Sequence, residues 1–411
     1  MAGLSPFKSP MTISSDPRLG ALPAATAGGL DFIYSPRFRS IVSQAVVMAL
    51  LLWGLYEMVA NTRANLAKLN QNFGFDFLNK AAGFDMSTSL IPFSSNSSYS
   101  TALLAGFWNT VLVSILGMIV STVVGVTIGI MRLSKNQVVS GFATLFIEIV
   151  RNIPLLLQLF VWYALVLKPL PGPKQAINMW DSVFISNRGI LMPHPTFGAG
   201  AWLALLFLAA AIVGCWFFAR WARKLQFTTG KQLPVWSVNS AAMVLLPITG
   251  FAIAGWPVTW DYPALTGFNF TGGMTIVPEM AALLFGLSIF YAASTAEIVR
   301  SGILAVSHGQ TEASMALGLT RGQALRQVIL PQAMRVMIPP MASQLLSLTK
   351  DSSLAIAIGF PDLLYAGGTV NNQTGKAIEV FTMVLVVYLT LSLLTAAFMN
   401  WFNGRMKLVE R

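Results

Sequence analysis

Charge is what this chain has least of. Of 411 residues, 10% are Asp, Glu, Lys or Arg and 55% are hydrophobic, whereas soluble domains carry about a quarter charged residues. So apolar a chain would expose large sticky patches in water, which excludes an ordinary soluble fold. Cysteine is nearly missing. Cys215 stands alone inside the run LLFLAAAIVGCWFF, so no internal disulfide can form, no Cys/His spacing points to a metal, and packing is its expected role. The only histidines, His194 and His308, are far apart in sequence. That argues against an integral membrane enzyme, whose site needs clustered His and acids. No phosphate-binding G-x-x-x-x-G-K-[ST] run occurs, since Gly230-Lys231 and Gly375-Lys376 lack the upstream glycine and the following Ser or Thr. No internal repeat is visible, so nothing supports the paired halves of a secondary transporter.

What the chain has instead is long apolar runs. Those at 41–60, 107–131, 145–167, 201–219, 235–254, 281–299, 340–360 and 380–399 are near the length that crosses a bilayer's hydrocarbon core. They imply an all-α polytopic membrane protein of about eight transmembrane helices. Residues 1–40, rich in Pro, Ser, Ala and Gly, are expected to be a flexible cytoplasmic tail, and 403–411 a second one. The 41–60 run starts late and lacks a small-x-small cleavage site, so it reads as an uncleaved anchor rather than a signal peptide. Residues 61–104 then form a periplasmic loop.

The net charge of +11 would suggest nucleic acid in a soluble protein. Here the bases cluster in short segments between apolar runs, as the positive-inside rule describes. Arg37 and Arg39 precede the first span, and Arg132 and Lys135 follow the second. Arg220, Arg223, Lys224 and Lys231 follow the fourth, and Arg321, Arg326 and Arg335 follow the sixth. An even span count puts all of these, and both termini, in the cytoplasm, so the partner surface is membrane lipid and not nucleic acid. The opposite stretch 255–278 has no base, and Trp256, Trp260 and Tyr262 within it suit interfacial anchors.

One polar stretch interrupts the apolar pattern. Ser307-x-x-Gln310 is a potential capping box opening a helix through Leu317, which Gly318 would stop. Thr320-x-x-Gln323 is a second box, opening a helix through Leu330, with Pro331 and Pro339 bending the chain into the next span. Leu325, Val328 and Ile329 share a face. Two short helices about a glycine turn fit a groove on another protein or the lipid headgroup layer, and spacing alone leaves both open.

This stretch resembles the EAA motif of bacterial ABC-importer permeases, with Glu312, Ala313 and Ser314 followed by Gly318, Val328, Leu330 and Pro331. Ser314 stands where the motif has its third Ala, and Val328 where it has Ile. RNIPLLLQLF (151–160), EIVRSGILAV (297–306) and TKDSSLAIAIGFPDLL (349–364) resemble runs of the polar amino acid permeases. An enlarged chain of this kind is most similar to the Q-type subunits of general L-amino-acid importers. The resemblance implies a five-helix type I core, 105–167 plus 273–402, with a coupling helix in 307–333 that enters a cleft on a cytoplasmic ATPase. Residues 41–60, and 168–272 with two extra transmembrane helices, would be additions. It further implies an inner-membrane assembly with an ABC ATPase dimer, a second, related permease and a periplasmic amino-acid-binding protein. ATP and Mg would sit on the ATPase, and this chain would bind no cofactor.

Ionisable groups inside spans are costly and mark function by default. Glu148 and Arg151 lie three residues apart, as do Glu297 and Arg300, while Lys350 and Asp351 are adjacent. Glu297 and Arg300, close to a span end, read best as a structural ion pair. Arg151 and Asp351 suit the carboxylate and ammonium of a zwitterionic amino acid. Glu148, Asn152, Gln158 and Ser352 complete that candidate path. The expected function is therefore import of L-amino acids of broad specificity, with a secondary transporter or channel for small polar solutes as the alternative. Gly125 and Gly129 form a GxxxG pattern that would let two helices approach closely.

Overall fold

The computed structural model describes residues 36–68 and 73–406. Most of the expected N-terminal tail, and the end of the C-terminal one, lie outside the described residues. The chain divides into two units, 1–73 and 74–411. The first contributes one helix, α1 (Pro36–Lys68), whose side chains are almost all exposed. It outruns the expected span at both ends, so 36–40 and 61–68 are helix rather than tail and loop.

In the second unit, a short 3-10 turn (Asp76–Asn79) leads to α2 (Tyr99–Arg132), capped by Ser98, which accepts the Thr101 N–H. Thus α2 starts eight residues before the expected span. Next come α3 (Gln137–Asn152), capped by Asn136, and α4 (Leu155–Phe160), which widens into a π turn (Val161–Leu167). The 145–167 run was expected to be one span. It is a pair of helices bent by 103°. Pro154 has no N–H to offer and holds Ile153 extended (φ −102°, ψ 125°), which ends α3. Gln158 seals the break: its buried amide donates to the carbonyls of Val150 (2.8 Å) and Ile153 (2.9 Å).

The insertion carries structure that hydropathy does not reveal. Strands β1 (Ile177–Met179), β2 (Val183–Ser186), β3 (Gly189–Met192) and β4 (His194–Phe197) precede a helical hairpin, α5 (Trp202–Thr229) and α6 (Val235–Ile253). After it come β5 (Val258–Asp261), β6 (Ala264–Thr266), β7 (Asn269–Thr271) and β8 (Met274–Ile276). All pairings are antiparallel, in the orders β1-β2-β3-β8, β4-β5 and β6-β7. Because β3 pairs with β8 and β4 with β5, the chain entering the hairpin is stitched to the chain leaving it. Within the hairpin, Gly250 lets α6 touch α5: a Cβ there would lie 3.0 Å from Ala204 Cα. Cys215 sits in the same seam, its thiol donating to the Asn239 carbonyl (3.6 Å) and its carbonyl accepting the Asn239 amide (3.4 Å).

The rest is helical: α7 (Pro278–Leu304), α8 (His308–Ala316), α9 (Arg321–Ala324), α10 (Leu330–Asp351), α11 (Leu363–Thr374) and α12 (Ala377–Met406). A π turn (Leu325–Ile329) joins α9 to α10, and a 3-10 segment (Ser352–Ile358) ends α10. The second short helix expected at 320–330 is therefore the leading end of a long one. Pro331 follows directly on the π turn, and Pro339 and Pro340 lie inside the helix, so none of the three stands at a bend. Helix α11 was not expected. It follows a 50° bend at Gly359–Pro361, where Gly359 takes φ +78°.

Among the described residues, six helices are long and apolar enough to cross a membrane alone, and two bent pairs qualify as broken spans or re-entrant loops. The core lies where α2 meets α7. A Cβ on Gly125 would fall 2.6 Å from Thr295 Cβ, and one on Gly129 would fall 2.8 Å from the Ala296 carbonyl. The GxxxG pair thus brings the two backbones together against buried Ala292, Ala293 and Ala296. Such small-residue seams replace the hydrophobic drive that lipid-facing helices lack.

Candidate coupling turn and solute path

Helix α7 ends at Leu304, and the polar stretch begins with α8. The expected Ser307–Gln310 box does not form. Ser307 makes no side-chain cap, and only the Gln310 N–H reaches the Ser307 carbonyl (3.0 Å). The other end is tightly built. Gly318, at φ +81°, lets its N–H reach the Met315 carbonyl (3.0 Å) and the Leu319 N–H reach Ser314 (3.2 Å), the paired bonds of a left-handed C-cap. Nothing lies within 4 Å of a Cβ built at 318, so backbone conformation rather than space demands the glycine. The Thr320–Gln323 box is complete: the Thr320 hydroxyl accepts the Gln323 N–H and the Gln323 side chain accepts the Thr320 N–H (2.9 Å).

Within α8, Glu312 and Ala313 are exposed, and Glu312 pairs with His308 (3.0 Å) at the surface. Ser314 is buried, with its hydroxyl donated to the Thr311 carbonyl (2.7 Å), so the extra oxygen beyond Ala costs no unpaired group. Leu317 is 83% exposed and Met315 44%, with Leu325 (46%) and Leu330 (40%) exposed on the following helix. An uncovered apolar tip on a rigid, doubly capped turn is what a docking knob requires.

The charged interior divides into clusters. Glu297 accepts hydrogen bonds from Arg300 Nε (3.1 Å) and Nη2 (2.6 Å), and its other oxygen accepts Arg132 Nη1 from the end of α2. Arg132 was not foreseen in this pairing. Its signal was its position, three residues beyond Gly129 on the face that meets α7. Arg151 lies within electrostatic reach of Glu297. Further up α7, Tyr291 donates its hydroxyl to Asp351 (2.6 Å). No ion pair among the described residues joins Arg151 to Asp351, or Glu148 to Arg151. The remaining groups of the expected path bond locally: Asn152 to the Glu148 carbonyl (2.8 Å), Ser352 to the Thr349 carbonyl (2.8 Å) and Gln158 across the α3–α4 break. Gln158 therefore holds the fold and has no spare donor for a solute.

A third polar cluster escaped the sequence. Asp362, 1% exposed, caps α11 by accepting the Tyr365 N–H (2.7 Å) and accepts the Tyr388 hydroxyl of α12 (3.1 Å). From α2, Thr110 accepts the Leu363 N–H (3.1 Å) and Asn109 donates to the Pro361 carbonyl (2.9 Å). The bend before α11 is thus tied to two other helices.

A family model described as the binding-protein-dependent transport system inner membrane component matches residues 235–408. The general L-amino acid transport system permease protein AapQ of Rhizobium johnstonii is 46% identical over 380 residues, covering 92% of this chain and 95% of that protein. The glutamate/glutamine/aspartate/asparagine transport system permease protein BztB of Rhodobacter capsulatus is 40% identical over 434 residues, covering 98% and 100%. Among solved structures, an amino acid ABC transporter with histidines aligns with TM-score 0.45 and 20% identity, over 75% of this chain and 95% of that one.

Proposed function

The chain belongs to the amino-acid ABC importer permeases, and from that premise we propose that it is the membrane-spanning subunit of an ATP-driven importer carrying L-amino acids of broad specificity from periplasm to cytoplasm. ATP hydrolysis falls to a separate ABC ATPase dimer, which holds ATP and Mg. A periplasmic binding protein delivers the solute, and a second, related permease completes the path. Both termini face the cytoplasm, as do the basic turns. The observation that carries this proposal is the doubly capped 307–333 turn with its exposed Leu317 tip. Glu312, Ala313, Ser314, Gly318, Leu330 and Pro331 build it.

The test is a comparison at Gly318. A β-branched residue in the left-handed region costs about 1–2 kcal/mol, whereas Asn is tolerated there. Gly318→Val should leave insertion intact but lower ATP-dependent uptake in proteoliposomes and weaken retention of the ATPase. Gly318→Asn should stay near wild type. Equal behaviour of the two variants would remove the coupling role from this turn. Uptake without ATP would favour a secondary transporter.

For the solute path we keep Asp351, held by Tyr291, for the ammonium group and Arg151 for the carboxylate, with Glu148, Asn152 and Ser352 beside them. The two charges lie in separate clusters here, so one solute would engage them in succession. Asp351→Asn and Arg151→Ala should each reduce uptake about tenfold or more, since each removes a charge-assisted contact, while ATPase activity persists. Unchanged uptake in both would discard this path.

A further inference from the structure

The α5–α6 hairpin has no part in the coupling turn or the path, yet its chemistry is distinctive. From Trp202 to Ile253 it contains no Asp or Glu, while Arg220, Arg223, Lys224 and Lys231 gather near its turn. None of the four has a carboxylate partner among the described residues. Arg220 is instead stacked over the Trp216 ring (3.9 Å). The strands pairing across the hairpin's base hold its two ends together, so this basic turn lies at the far end, as the exit from α7 into α8 does.

Between the two helices at that end is a cleft of about 810 Å³. Its lining runs from Arg223, Gln226 and Trp236 past Asn239 and Ser240 to Met243 and Val244. Helix α6 opens there with no side chain capping its first turn, so its free N–H groups add to the positive potential. We propose that this cleft binds one anionic phospholipid, with the phosphodiester at Arg223 and the first turn of α6 and an acyl chain along Met243 and Val244. Arg223 complements an anion, and the mostly apolar lining complements a chain attached to it. Trp236, 84% exposed, would sit at headgroup level beside it.

The test uses the complex purified from its native membrane, delipidated, and titrated with phosphatidylglycerol or phosphatidylcholine while bound lipid is counted by native mass spectrometry. Phosphatidylglycerol should bind about fivefold more tightly, the preference expected from one basic group. Glycerol phosphate should not compete at equal concentration. Arg223→Glu with Lys224→Glu should abolish the preference. Met243→Trp, which leaves charge alone and fills part of the apolar lining, should reduce binding of both lipids. Arg223→Lys, as a folding and charge control, should behave as wild type. Parity between the lipids in the wild type, or a preference that survives the double charge reversal, overturns the proposal. So does a Trp236→Cys variant that crosslinks in native membranes to another polypeptide, because the cleft is then a protein interface. Neither ATP nor transport enters the readout, so failure of the importer assignment would not produce these results.

Discussion

Glu297→Ala should destabilise the protein by about 2–3 kcal/mol, the part-buried share of the cost of breaking a buried ion pair. The side chain accepts from two guanidinium groups, Arg132 and Arg300, and a third, Arg151, lies near. The three bonded side chains are only 20–31% exposed, so water screens them partly and the full buried figure does not apply. Without the acid, like charges face each other across the seam where Gly125 and Gly129 press α2 onto α7. That seam cannot widen without losing its contacts. Glu297→Gln should recover part of the loss, because an amide oxygen still accepts one arginine. Glu297→Gln with Arg132→Gln should recover more, because it removes a stranded cation. The measurement is the unfolding midpoint in detergent across the four proteins. A Glu297→Ala midpoint within a degree of wild type would show that the arginines are independently solvated. Because α7 ends seven residues later at Leu304, the cluster also braces the helix that leads into α8.

The sequence disclosed what repeats or caps. Long apolar runs found the spans, and Gly318 and Thr320 announced a turn whose backbone needs those residues locally. GxxxG announced a close helix approach on α2, but not that its partner is α7. What it hid depends on distant partners. Strands of three or four residues are too short for alternation to speak, and β3 finds β8 only across the whole hairpin. The 103° break at Pro154 was masked by continuous hydropathy, although proline and the capping amide of Gln158 were both in the quoted motif. Helix α9 ran into α10 because a π turn absorbed what the prolines were expected to break. Asp351 is bonded to a tyrosine hydroxyl sixty residues earlier, a partner that no local spacing announces.

Asp362→Ala should cost about 2 kcal/mol, the sum of a lost helix cap at about 1 kcal/mol and a lost Tyr388 hydrogen bond at about 1 kcal/mol. The carboxylate is enclosed, and its acceptors serve two helices at once, α11 through the Tyr365 N–H and α12 through Tyr388. Its backbone is equally confined: a Cβ on Gly106 of α2 would lie 2.7 Å from the Asp362 carbonyl, so the segment cannot slide to find new partners. Asp362→Asn separates geometry from charge, because its oxygen can still cap α11 and its amide can donate to Tyr388. It should retain most of the stability. Tyr388→Phe leaves the carboxylate with one donor fewer and should cost about 1–2 kcal/mol. In the double-mutant cycle of Asp362→Ala and Tyr388→Phe, the second change should cost less than it does alone, since its bond to Asp362 is already gone. Additive losses, or an Asn variant as damaged as Ala, would mean that the bend before α11 is held by packing against Gly106 and not by this hydrogen-bonded knot. If the cycle couples as expected, the 50° bend is a fixed corner, and motion between conducting states has to be taken up elsewhere, at the uncapped start of α8 or the break at Pro154.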